Sequence, residues 1–288
     1  MNERIYFSPA KINLFLEVLS KRVDGYHNIN SLMCLCNVGD YLKITENSKF
    51  ELNIDGPFKV CLQNMTQNII LNVFEIFKKK FSLKKNIKIT LYKNLPISSG
   101  IGGGSSNAAT AFKCFENFFK LQIDKKLRDN ILLSIGADVP FCYHGKPSLV
   151  SGIGDKIKSI KFLPDFFILL VNPLIKISTK EIFQKIKNFS SKKTFLPNKE
   201  VSKNTITDIL INSNNDLESL VVKKYPEIGK ILNLLKKDTN SLLTRMSGSG
   251  STCFALFDSE KELTEAYLKI SELKKNCWIE KGKILNKI

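Results

Sequence analysis

Residues 94 to 110 run Asn-Leu-Pro-Ile-Ser-Ser-Gly-Ile-Gly-Gly-Gly-Ser-Ser-Asn-Ala-Ala-Thr, with four glycines and four serines inside nine positions. Gly100, Gly102, Gly103 and Gly104 admit backbone angles barred to other residues and, lacking a Cβ, let a ligand approach the main chain. The helix predicted to follow aims its unpaired N–H groups and the positive end of its dipole into the loop. An anion, above all phosphate, is the natural occupant. Two widespread phosphate motifs do not fit. A dinucleotide fingerprint starting at Gly100 meets Ser105 where glycine or alanine is needed, and no Gly-Lys-Ser/Thr ending makes a Walker loop. A glycine-rich turn with no ligand is the weaker reading, because glycine inside an element costs about 0.5–1 kcal/mol.

Other stretches carry side chains able to do chemistry. Ser8-Pro-Ala-Lys-Ile-Asn-Leu-Phe-Leu16 sets Lys11 and Asn13 on one face of a strand, by the period of two. Asp138 follows a helix end in Gly136-Ala-Asp-Val-Pro-Phe141, and Tyr26 and His27 follow an Asp-Gly turn in Lys21-Arg-Val-Asp-Gly-Tyr-His-Asn-Ile29. A second glycine turn, Met246-Ser-Gly-Ser-Gly-Ser-Thr252, precedes the apolar run Cys253–Phe257. By type alone each has a bland alternative: a solvated lysine, a turn aspartate, a packing tyrosine, a hairpin.

The order of these motifs tips the balance. Pro96-Ile-Ser-Ser-Gly-Ile-Gly-Gly-Gly-Ser-Ser-Asn-Ala-Ala109 resembles the ATP loop of the GHMP kinases, small-molecule kinases named for galactose, homoserine, mevalonate and phosphomevalonate. The segments at Lys11, Asp138 and Met246–Thr252 are similar to the family's other motifs, so the resemblance runs from Pro9 to Phe257. It implies that Pro96, Ser99, Gly100, Ile101, Gly102, Gly103, Gly104, Ser105 and Ser106 bind ATP, with Asn68 a looser match near the adenine. It also implies that Lys11 and Asp138 are catalytic, Asp138 as the base. Arg-x-Asp-Gly-Tyr-His resembles the branch of the family that phosphorylates a cytidyl-diphosphate alcohol. There Tyr26 stacks on cytosine, at about 1–3 kcal/mol per base, and His27 hydrogen-bonds it. Phe183 would be the second aromatic opposite Tyr26, and Asn13, Gly248, Ser249 and Gly250 would hold the rest of the substrate. Mg2+ would come with ATP, held mainly by phosphate and water, with Ser106 as a hydroxyl ligand. Two departures are visible: Ile101 replaces the usual leucine, and Ser98-Ser99 stands where small or hydrophobic residues are typical.

The implied fold is α+β in two domains, 1–160 like ribosomal protein S5 domain 2 and 161–288 ferredoxin-like, with the site in the cleft between them. Periodicity supplies the supporting elements. Ile12, Leu14, Leu16 and Val18 alternate as a strand with one buried face, as do Ile87, Ile89 and Leu91. Residues 32 to 62 read as short strands, and Gln67 to Phe81 as a helix burying Ile70, Val73, Phe74 and Phe77. A helix with Ala108, Ala111, Phe112, Phe115 and Phe119 begins where the glycines end. Another carries Leu127, Ile131 and Ile135 and stops at Gly136. Asp165 to Val171 opens a new core strand. Ser178 and Glu181 form a capping box before Ile182, Phe183, Ile186 and Phe189. Residues 190 to 204 read as a mobile surface loop, and Asn215-Asp-Leu-Glu218 as packing.

Composition bounds the rest. A chain of 288 residues, 43% hydrophobic and 25% charged, suits a two-domain globular protein. No apolar run nears the roughly 20 residues of a membrane span, and the start of the chain has neither a signal nor a transit pattern, so the cytosol is the expected compartment. Seven cysteines without a Cys-x-x-Cys pair read as reduced core thiols. The net charge of +17 is spread along the chain and suits anionic small molecules. The resemblance implies ATP and a cytidyl-diphosphate alcohol as partners, with no nucleic acid and no membrane. The alternatives are a GHMP kinase for mevalonate or homoserine, against which the Asp-Gly-Tyr-His segment speaks, and an RNA-binding protein with an S5-like half.

Overall fold

The computed structural model of the chain describes residues 3–63, 68–83, 85–161, 163–191, 193–197 and 201–287. Gln67, the expected first residue of a helix, and residues 192 and 198–200 of the expected loop lie outside them. Two long strands open the chain, β1 (Arg4–Lys21) and β2 (His27–Asn47), and they pair with each other. Both expectations for this region are corrected. β1 buries Phe15 and Glu17 as well as Ile12, Leu14, Leu16 and Val18, so both its faces are covered. Residues 32 to 47 continue one strand, because residues 29–36 are buried on both faces and show no alternation to read. Alternation returns at Tyr41–Thr45, with Leu42 and Ile44 inside.

The chain divides into two compact units, each discontinuous in sequence. The first comprises Met1–Ala10, Gly39–Ile97 and Gly102–His144. In it β3 (Glu51–Asp55) runs parallel to β4 (Asn86–Tyr92), which pairs antiparallel with the end of β2, Tyr41 opposite Tyr92. Its helices are α1 (Val60–Gln63), α2 (Ile69–Phe81), α3 (Gly103–Phe118), α4 (Lys125–Ile135) and α5 (Val139–His144). α2 buries the four expected side chains, and Phe77 sets its ring edge-on to Phe112 and Phe115 at 4.7 and 5.3 Å. α3 starts at Gly103, inside the glycine run instead of after it. α4 is rotated from expectation: Ile131 and Leu132 are buried and Leu127 is exposed. Its end at Gly136 is extended (φ 172°), so no left-handed stop is used there.

The second unit comprises Lys11–Val38, Ser98–Ile101 and Gly145–Ile288. The start of β2 pairs with β5 (Ser148–Gly152), which pairs with β6 (Lys156–Ser159). Further strands are β7 (Phe167–Asn172), β8 (Leu243–Met246), β9 (Cys253–Phe257) and β10 (Trp278–Leu285), joined antiparallel in the order β2-β10-β7-β9-β8. The helices are α6 (Thr179–Gln184), α7 (Lys203–Ile211), α8 (Glu218–Lys224), α9 (Pro226–Asp238) and α10 (Glu260–Leu273). α9 and α10 pack on the sheet. Ser178 caps α6 as expected, but Glu181 pairs with Lys185 and Lys224 and does not complete a box. α6 ends at Gln184, so Ile186 and Phe189 lie beyond it. Among the described residues all seven cysteines are free thiols, and no helix is long and apolar enough to cross a membrane.

The aromatic core of the first unit gives a direct test. Phe77→Ala removes a fully buried ring and should cost about 3–5 kcal/mol in a denaturant titration. Phe195→Ala, at a side chain 73% exposed, should stay within about 0.5 kcal/mol of the parent.

Candidate active site

In the second unit β1 holds the first half of the glycine loop by its main chain, the Lys11 N–H donating to the Ile101 carbonyl at 2.9 Å. The Thr252 N–H donates to the Ser99 carbonyl at 3.0 Å, and the Ser247 hydroxyl to the Gly100 carbonyl at 3.1 Å. The two glycine turns therefore bond to each other directly. Their closeness explains Gly100, whose φ is +76° and whose Cβ, if present, would lie 2.4 Å from the Ser247 carbonyl oxygen and 2.7 Å from that of Gly250. This glycine admits the protein's own backbone, whereas the sequence suggested the approach of a ligand. Gly248, with φ +55°, is bounded likewise by the Gly100 oxygen at 2.9 Å. The Asn215 amide grips the Met246 and Gly248 carbonyls, both at 2.8 Å, and Thr179 shares a hydrogen bond of 2.7 Å with the Ser249 hydroxyl.

Lys11 and Asn13 share a face, as the alternation predicts. Lys11 Nζ donates to Asn13 Oδ1 at 2.8 Å, Asn13 Nδ2 to Ser31 Oγ at 2.8 Å, and Ser31 Oγ to the Phe15 carbonyl at 2.6 Å. The Asn13 N–H reaches Ser247 Oγ at 3.2 Å. Lys11 and Asn13 are both buried, and a buried ammonium is tolerated only where such acceptors replace its water.

Gly102 to Ser106, Pro96, Asn68 and Asp138 lie in the first unit. Gly102 is the N-cap of α3 with φ 62°, no side chain caps this end, and no acidic residue stands in the first turn. Gly104 is exposed, and a Cβ there would meet nothing within 4 Å. A sixteen-residue helix with no side-chain cap at its start offers its first-turn N–H groups to an anion. Asn68 uses its Oδ1 to cap α2, accepting from the Ile70 N–H at 2.9 Å. Asp138 is half-buried at the junction of α4 and α5, and its carbonyl accepts from the Cys142 N–H at 3.0 Å.

Beneath the start of α3 lies a buried network that the sequence does not announce. Lys93 pairs with Asp40, whose other oxygen accepts the N–H groups of Asn94 and Leu95 at 2.7 and 2.8 Å. Asn107 Nδ2 donates to Asp40 at 2.9 Å and to Ser8 Oγ at 2.9 Å, and Ser8 Oγ donates to Ser106 Oγ at 3.0 Å. Residues as far apart as Ser8 and Asn107 carry no common local pattern from which this could be found. Ser106 is buried, and among the described residues no three His, Cys, Asp or Glu side chains gather as a metal site. The hydroxyl and carboxylate oxygens of Ser106 and Asp138 are the hard donors that Mg2+ prefers.

At the Asp-Gly turn, Asp24 accepts the Tyr26 N–H at 3.1 Å and the Arg22 N–H bonds the Tyr26 carbonyl at 2.8 Å. Tyr26 is 59% exposed. His27 is buried, and burial followed by the charge of Lys21 lowers its pKa. Phe183, expected opposite Tyr26, sets its ring against His27 at 5.4 Å.

Residues 68–146 match the family model of the GHMP kinases N terminal domain and residues 203–276 that of the GHMP kinases C terminal. Relatives named 4-diphosphocytidyl-2-C-methyl-D-erythritol kinase include one from Chelativorans sp. (strain BNC1), 37% identical over 92% of this chain and 90% of its own. Another, from Parvibaculum lavamentivorans, is 35% identical over 94% of each. The crystal structure of a 4-(cytidine 5'-diphospho)-2C-methyl-D-erythritol kinase superposes with a TM-score of 0.79 at 22% identity, covering 98% of this chain and 99% of its own. Homoserine kinase from Cytophaga hutchinsonii does so at 0.67 and 14%, covering 100% and 96%. These structures show a shared fold.

The loop geometry separates two glycines experimentally. Gly100→Ala meets a carbonyl and a left-handed φ, and should lose about 1–3 kcal/mol of stability in chemical denaturation. Gly104→Ala enters open space in a helical turn and should gain about 0.5–1 kcal/mol.

Proposed function

The chain belongs to the 4-diphosphocytidyl-2-C-methyl-D-erythritol kinases of the GHMP kinase family, and from that premise we propose how its residues carry the reaction. The enzyme transfers the γ-phosphoryl group of ATP to the 2-hydroxyl of 4-diphosphocytidyl-2-C-methyl-D-erythritol, giving the 2-phosphate and ADP in the non-mevalonate isoprenoid pathway. The observation that carries the reading is a likeness to curated kinases covering 92% of the chain. The free thiols suit a reducing compartment, which supports a cytosolic setting for the reaction.

The triphosphate lies on the first turn of α3, against the main-chain N–H groups from Gly103 to Ser105, with Gly104 leaving room for it. Substrate oxygen attacks the γ-phosphorus, the bond to the β,γ-bridging oxygen breaks, and ADP leaves with its electron pair. Asp138 accepts the hydroxyl proton. Lys11, steered by Asn13, stabilises charge on the transferring group. Ser106 is the residue that would hold a Mg2+ ion arriving with ATP, and the ion would supply further charge neutralisation there. Because the transition state of phosphoryl transfer is loose, position and field outweigh the strength of the base. At the far end of the substrate Tyr26 offers an exposed ring for stacking on cytosine, and His27 reads its polar edge, with Phe183 beside it. Asn13 and the turn at Gly248, Ser249 and Gly250 hold the alcohol.

A coupled ADP-release assay with the cytidyl-diphosphate alcohol, mevalonate, homoserine and a panel of sugars tests the reading. Turnover is expected with the first alone, and turnover of mevalonate or homoserine insensitive to cytidine nucleotides would overturn it. Asp138→Asn should lower kcat by about 10²–10⁴ while KM for the alcohol changes only a few-fold.

The lowered pKa of His27 sets a pH dependence. An imidazole whose folded pKa lies below the ordinary 6.5 is neutral at pH 7. Its contribution is complete above about 6.5 and is lost as pH falls from there through the depressed value. Inhibition by CMP, which depends on the folded enzyme alone, should hold at pH 6.5 and weaken only as pH falls through the depressed value, and His27→Gln should flatten the profile.

A further inference from the structure

Glu17 sits in β1 with its carboxylate buried. It accepts from Asn30 Nδ2 of β2 at 2.7 Å and from Thr194, whose N–H lies 3.2 and 2.9 Å from the two oxygens and whose hydroxyl bonds Oε1. The Thr194 carbonyl accepts from the same Asn30 amide at 3.0 Å, which closes a ring of three residues. A second fastening lies at Ser190, whose N–H donates to the Val18 carbonyl at 2.9 Å and whose hydroxyl donates to Asp216 at 2.7 Å. Asp216 also takes the Val18 N–H at 2.7 Å. The stretch read from sequence as a mobile loop is thus bound to β1 at two described points. Burying a carboxylate is costly unless donors replace its water, and here the donors come from Thr194 and Asn30.

What the fastening holds is Phe189. Its ring is 40% exposed and lies 6.3 Å from that of His27, which Phe183 also contacts. Two aromatic rings beside an imidazole restrict the turning that would redirect its polar edge. A fixed edge can tell an amino group from a carbonyl, because the wrong partner leaves a buried polar group unpaired.

We propose that the Glu17–Thr194 fastening and Phe189 position His27, making Phe189 a positioning residue that sets the preference of the site for an amino-bearing pyrimidine. The inference rests on the cytidyl substrate proposed above and extends it to residues outside the family motifs.

The test compares inhibition by CMP and UMP, with KM for both substrates and kcat, in the parent enzyme, Phe189→Ala, Phe189→Tyr, Glu17→Gln and Thr194→Val. Phe189→Ala should raise KM for the cytidyl substrate and Ki for CMP about tenfold and narrow the CMP/UMP ratio. KM for ATP and kcat should change far less, and Phe189→Tyr should restore the ratio. Glu17→Gln should act in the same direction. Thr194→Val, which keeps the main-chain bond, provides the second reading if Glu17→Gln does not fold. An unchanged CMP/UMP ratio in a folded Phe189→Ala enzyme, or equal losses for ATP and the cytidyl substrate, would overturn the inference alone. A parent enzyme indifferent to CMP would overturn it together with the substrate reading.

Discussion

Two main chains approach so closely in the second unit that position 100 has no room for a methyl group. The carbonyls of Ser99 and Gly100 accept hydrogen bonds from the turn at Met246–Thr252, and the Ile101 carbonyl accepts one from β1. Each acceptor is a backbone carbonyl that would cost free energy if buried unpaired. The bonds therefore determine where the loop stands before any ligand arrives. The freedom of Gly100 and Gly248 is spent on this internal contact, and the open position is left to Gly104 at the helix start.

Buried charge does the rest of the positioning. Lys93 with Asp40, Lys11 with Asn13, Glu17 and Arg245 all lie in the interior. Arg245 donates to the carbonyls of Leu14, Leu210 and Ser213, and burial brings its pKa down to about 10. Such groups contribute little net stability, since desolvation offsets most of what pairing returns. Their acceptors and donors are directional, however, and a shift of the chain by one residue would leave an ion unmatched. They act as register marks in two units whose apolar packing alone would tolerate several arrangements.

The turn proposed to meet the nucleobase follows a different logic. Tyr26 stays exposed on a turn closed by its own Asp24, ready for a flat partner, while His27 is drawn inward against Phe183 and Phe189. Adjacent residues on an extended chain point to opposite sides. One dipeptide can therefore present both an exposed ring and a buried imidazole.

Sequence alone determined the residue types proposed for the chemistry, their order, and the elements whose one-sided burial leaves a clean period. α2 is such a case, with Ile70, Val73, Phe74 and Phe77 inside, and so is β4 with Ile87, Ile89 and Leu91. Tertiary structure decided what local pattern does not encode. It covered both faces of β1 and of residues 29–36, where alternation disappears. It turned α4 onto Ile131 and Leu132, paired Phe183 with His27, assigned Gly100 to loop contact, and fastened Thr194 to Glu17. The physical reason is range. A period of 2 or 3.6 reports a residue's neighbours on its own element, whereas these outcomes depend on partners up to 177 positions away, which only the folded chain brings within hydrogen-bonding distance.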